Sequence, residues 1–224
     1  MQDASRAIIS FTDSQAYKKE RKQNEQPESE STETLIEITA YLGYLSNKIW
    51  ENKDFKSVIK NQNLLRPLAS LTIFKLGNHS NQEVDRLRFN VRQISRQCLN
   101  WIRFYGDAQD FADLVNVQYG KVICISLSSA GGIGEEDDKE MLNGLNRIYH
   151  FLRTIRNGRN DFGYPSFQPL PLLARITEEQ IEEEGANEEV EAQMINYGMD
   201  GIIKKMANNA KTETLNHFIH RRRM

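Results

Sequence analysis

The sequence predicts an all-α fold, or one nearly so with at most a single short strand near 121–127: a helical bundle core with extended termini. Three observations predict it. Apolar residues recur at three- and four-residue steps over several long stretches, which places them on one stripe of a helix. Stop signals built from glycine beside asparagine or aspartate follow those stretches. Only 121–127, KVICISL, has the β-branched character of a strand, and because a lone strand would leave its backbone groups without partners, it either pairs with an element the sequence does not reveal or is a buried helix turn.

Ala7, Ile8, Ile9 and Phe11 form an apolar patch sized to dock a single turn. Residues 12–33 are rich in Lys, Glu, Gln, Ser and Asn, include Pro27, and show no recurring apolar position. Such a stretch buries too little surface to offset its ordering entropy, so 1–33 is expected to be a flexible segment and mobile linker. A helical core domain is expected over 34–174. Leu35, Ile38, Leu42, Leu45 and Ile49 predict its first helix, over 34–50. Asp54 suits the N-cap of a short piece carrying Phe55, Val58 and Ile59. The apolar run 64–76 holds Pro67, which fits the first turn of a helix, and it ends at Gly77 and Asn78.

The helix predicted over 81–105 carries two faces. Leu87, Val91, Ile94, Cys98 and Trp101 form an apolar seam, while Arg88, Arg92, Arg96 and Arg103 fall on a different side. Gly106 ends it, and Asp107 caps a shorter helix with Phe111, Leu114, Val115 and Val117. After a glycine-rich loop at 130–134, Asp137 caps a helix through Met141, Leu142, Leu145, Ile148, Leu152 and Ile155, with Arg153 and Arg156 in its final turn. Gly158, Gly163, Pro165, Pro169 and Pro171 make 157–171 a loop, anchored by Tyr164 and Phe167. Thr177 with Gln180 reads as a capping box opening an acidic helix that runs through Val190. Met194, Ile195, Ile202, Met206, Leu215, Phe218 and Ile219 continue in a helical pattern broken by Gly198 and Gly201. The arm 175–224 is therefore expected to dock on its own core or on a neighbouring copy, making a homo-oligomer.

Composition bounds the function. The 224 residues carry 29 Lys and Arg against 31 Asp and Glu, a formal net charge of -2. No run approaches the roughly 18 apolar residues of a membrane span, and Met1 is followed by acid and hydroxyl residues. These features predict a soluble, unsecreted, cytoplasmic chain that makes no membrane contact. Cys98 and Cys124 lack a CxxC partner and are expected to be packed thiols.

No complete chemical constellation emerges, so neither catalytic residues, cofactor nor metal is assigned. The loop ISLSSAGGIGEEDD has the order of a phosphate site but lacks a lysine, and its four acids occupy the position that phosphate would take. The carboxylates of 178–191 lie along a helix and point to several sides, unlike a metal loop. His217 and His220 have metal-compatible spacing without further ligands, and His150 lies between Tyr149 and Phe151. The arginines stand apart. Arg88, Arg92, Arg96 and Arg103, with Arg147, Arg153, Arg156 and Arg159, gather guanidinium groups on two helices while net charge stays near zero. Forked guanidiniums suit phosphate, and neighbouring Phe104, Tyr105, Phe162 and Tyr164 offer stacking faces for unpaired bases. The competing expectation is that the chain's own acids neutralise every arginine.

The string RNGRNDFGYP, 156–165, at the end of an amphipathic helix is similar to the RNxxxH stretch of the HEPN family of helical RNases and RNA-binding modules. The resemblance covers ten residues and implies an active position at Arg159 and Asn160. Tyr164 stands where that family has its histidine, which removes the general acid/base and implies a non-catalytic relative. The sequence thus predicts a non-enzymatic, self-assembling adaptor or nucleocapsid-like protein, viral in one version, that contacts single-stranded nucleic acid or another polyanion through Arg88, Arg92, Arg96, Arg103, Arg153, Arg156 and Arg159. Two alternatives stand beside it: a HEPN-like RNase using Arg156, Arg159 and His150 across a dimer interface, and a protein-only interaction module.

Overall fold

Helical periodicity is realised in ten helices among the described residues, with no strand. The computed structural model describes residues 2–21, 31–51, 59, 63–130 and 138–220. The helices are α1 (Gln2–Arg21), α2 (Thr32–Glu51), α3 (Leu65–Leu71), α4 (Gln82–Tyr105), α5 (Ala108–Asn116), α6 (Tyr119–Ala130), α7 (Asp138–Asn157), α8 (Pro171–Glu183), α9 (Ala186–Gln193) and α10 (Ile202–His220). None is long and apolar enough to cross a membrane. Asp54, Phe55, Val58, the glycine-rich loop from 131 onward and Asp137 lie outside the described residues.

The chain divides into two units, Met1–Phe104 and Tyr105–Met224. This division falls inside the stretch expected as one core, and the expected arm supplies α8 to α10 to the second unit. In the first unit, α1 packs on α2 and α3. The expectation of a linker from residue 12 is corrected here, because α1 continues to Arg21. Ala4, Ile8 and Phe11 are buried at four- and three-residue steps, and the Phe11 ring lies 5.4 Å from that of Phe74. Once that apolar face has nucleated a helix, each further polar residue adds a backbone bond at small cost.

In the second unit, α7 packs against α6, α8 and α10, while α9 joins α6, α8 and α10. Of the two forms open to 121–127, a short strand or a buried helix turn, the segment takes the helical one, as part of α6. Val122, Ile123, Cys124, Ser126 and Leu127 are all buried, so α6 hides more than one side among α5, α7, α8 and α9. Burial on several sides blurs the amphipathic pattern that marks a helix in sequence, and tertiary packing overrides β-branched propensity. The acidic helix also starts earlier than expected. Pro171 occupies the first turn of α8, and Thr177 sits inside it, donating to the Leu173 carbonyl at 2.8 Å instead of capping. The Asp107 cap is present, its carboxylate accepting from the Gln109 and Asp110 amides while Asp110 reciprocates.

Both thiols are buried and neither is in a disulfide. Cys98 Sγ lies 3.8 Å from the Leu42 carbonyl, and burial pushes its pKa up to about 12. Burial, with a smaller contribution from Glu184, raises Cys124 further. A folded pKa above the unfolded value of 9.0 means that the Cys98 contribution to stability is intact below that pH and lost as pH climbs towards 12. Neither thiol should react with Ellman's reagent in mildly alkaline buffer until urea unfolds the chain. Rapid labelling of the native protein would contradict this packing.

Candidate functional site

The arginine ridge folds inward. Where α3 stops at Leu71, the turns over 72–77 leave carbonyl groups that no continuing helix can satisfy. Lys75, at φ +49°, and Gly77, at φ +72°, turn this segment in the left-handed region. It runs opposite to α4, so arginines four residues apart on α4 meet successive carbonyls. Arg96 donates Nε and Nη2 to Thr72 at 3.2 and 3.1 Å, Arg92 donates Nη1 to Phe74 at 3.3 Å, and Arg88 donates Nη1 to Asn78 at 2.9 Å. Arg88 also lies 3.5 Å from Asp85. These arginines are only 6, 3 and 3% exposed in chain order. A surface for foreign phosphate is not what they form. Arg103, half-buried, donates to Asn100 Oδ1 at 3.2 and 3.0 Å.

The second arginine group has internal partners too. Arg147 lies 3.6 Å from the buried Glu140. Arg156 pairs with Glu178, to which its Nε donates at 3.0 Å, and lies 3.5 Å from Glu213, tying α7 to α8 and α10. Arg159 donates to the Pro165 carbonyl at 2.9 Å and to Gly106, with its guanidinium 5.1 to 5.8 Å from the Phe167, Phe111 and Tyr164 rings. It therefore organises the 157–171 loop, which closes through the Arg159–Phe167 bridge. Of the seven arginines named from sequence, Arg153 alone is exposed, and it donates to the Tyr149 hydroxyl. His150 is exposed with its ring 4.9 Å from Tyr149. No group of three or more His, Cys, Asp or Glu side chains suited to a metal ion exists among the described residues. A cleft of about 510 Å3 beside α1 is lined by Ala16, Leu71, Ile73 and Phe74 with Thr12 and Gln15, a wall without a converging reactive pair.

The feature that sequence reasoning passes over is the corner between α9 and α10. Ile195, Tyr197, Met199 and Ile202 are 79, 70, 40 and 48% exposed within eight residues. Met199, Asp200 and Gly201 follow one another at φ +51°, +55° and +80°. Left-handed backbone costs a residue with a Cβ about 1 kcal/mol or more, so two such residues before the glycine form a strained turn. Hydrogen bonds hold it: Gly198 N donates to Asn196 Oδ1 at 2.8 Å, Gly201 N to Tyr197 O at 3.0 Å and Ile202 N to Met199 O at 3.1 Å. Lys204 donates to the Tyr197 hydroxyl at 2.7 Å and lies 4.4 Å from its ring centroid, which lowers the phenol's pKa from its usual value. The glycine pair breaking an apolar run is the available sequence signal.

Comparison with protein-family models, with curated proteins and with solved structures found no match.

Proposed function

We propose that this chain is a non-enzymatic assembly protein that works by self-association, with the α9–α10 corner as its contact surface. The observation that carries this reading is the set of four large apolar side chains held in water by a strained turn. An apolar group of that kind on a folded chain marks a protein contact. The arginines support the same reading from the other direction, since their hydrogen bonds and ion pairs build the fold. Light scattering over a concentration series is the test. The expected result is a mass above 25.9 kDa that rises with concentration and is unaffected by nuclease. A mass of 25.9 kDa throughout would end the proposal, and one that collapses on nuclease treatment would replace it with nucleic-acid binding.

A further inference from the structure

We infer that the α9–α10 corner pairs with the same corner of a second copy about a two-fold axis, giving a closed dimer in which Asp200 of each copy faces Lys205 of the other. The inference rests on the self-association reading and names its geometry. A two-fold contact places one surface patch against itself, so the patch must be complementary to itself. This one is. Its centre is uncharged, made by Ile195, Tyr197, Met199 and Ile202, which gain on leaving water against any apolar surface, including their own copy. Its rim carries charges of both signs: Asp138 beside Gly198, Lys204 bonded to Tyr197, and the pair Asp200 and Lys205. The last two are exposed, and neither has an ion-pair partner among the described residues. A two-fold operation brings opposite signs together twice, whereas a patch with one sign at its rim would repel its image.

Closure follows from the same symmetry, because a corner used by its image has no free apolar face left for a third copy. Tyr197 fits the centre of such a contact. Its ring presents a large rigid surface, and its hydroxyl already accepts a hydrogen bond from Lys204.

Sedimentation velocity on the full chain and four variants tests the pairing. Tyr197→Ser should raise the dimer dissociation constant at least tenfold while far-UV dichroism and the melting midpoint stay unchanged. Asp200→Lys and Lys205→Asp should each weaken the dimer about tenfold at low salt, because each breaks two symmetric pairs and sets like charges together. The backbone accepts lysine at 200, given that Lys75 already holds φ +49° in this chain. The double variant Asp200→Lys with Lys205→Asp should return to within about threefold of the parent, since both pairs re-form with their signs exchanged. If the single reversals leave the constant unchanged, or the double variant is weaker than either single one, the two-fold pairing is wrong. If Tyr197→Ser leaves an assembling protein unaffected, copies meet through another surface, and the inference fails while self-association stands. A single 25.9 kDa species at all concentrations overturns both.

Discussion

Arg96→Glu is expected to destabilise the protein by about 3 kcal/mol or more, enough to lower the denaturation midpoint clearly. The native guanidinium is 3% exposed and gives two hydrogen bonds to the Thr72 carbonyl. A carboxylate in its place offers only acceptors to an acceptor, at a position buried from solvent. Arg96→Met isolates the missing donors from the repulsion and should cost about 1–3 kcal/mol. Arg175→Glu is the matched control. Arg175 is exposed and paired with Glu179 four residues on, so its reversal should stay within about 0.5 kcal/mol. Chemical denaturation followed by circular dichroism separates these outcomes. Equal losses for Arg96→Glu and Arg175→Glu would show that the inward-facing ridge does not hold the 72–78 segment.

The second large effect falls in the other unit. Phe151→Ala should cost about 3–5 kcal/mol, the range for deleting a buried aromatic ring from a packed core. The Phe151 ring lies 5.4 Å from Phe111 at 9° and 5.0 Å from Tyr119 at 78°, so its loss removes a stacked and an edge-on neighbour at once. Phe162→Ala, at a fully exposed ring, should leave the melting curve unmoved. A loss below about 1 kcal/mol at Phe151 would mean that the surrounding rings close over the gap.

These two sites show what periodicity conveys and where it stops. Leu35, Ile38, Leu42, Leu45 and Ile49 announce α2 because a helix buried on one side has a regular stripe, and all five are buried. Helix α6 is unreadable in the same terms, since neighbours on several sides erase the stripe. The start of α8 is misread because Thr177 and Gln180 satisfy a capping pattern locally, while Pro171 and the packed Ala174 decide where the helix begins. Polar residues 12–21 look unable to order themselves, and they do so as the continuation of a turn that Ile8 and Phe11 fix in place. The arginines divide the same way. Their four-residue spacing correctly puts Arg88, Arg92 and Arg96 on one side of α4, but spacing cannot tell what lies opposite. That depends on Lys75 and Gly77 reversing a segment more than ten residues away. The expectation of acidic partners suits Arg147 and Arg156 and, through Asp85, part of Arg88, whereas Arg92 and Arg96 donate to main-chain oxygens.

Those main-chain oxygens give the ridge an uneven tolerance to mutation. Every amino acid carries a carbonyl, so positions 72, 74 and 78 can change identity and still present the acceptor that Arg96, Arg92 and Arg88 use. No exchange at those positions can rescue a lost arginine. The Arg156 and Glu178 pair is different in kind, since both halves are side chains and an exchange at one can be answered by an exchange at the other. Suppressors of damage to the ridge should therefore arise away from its contacts, as general stabilisers of the unit.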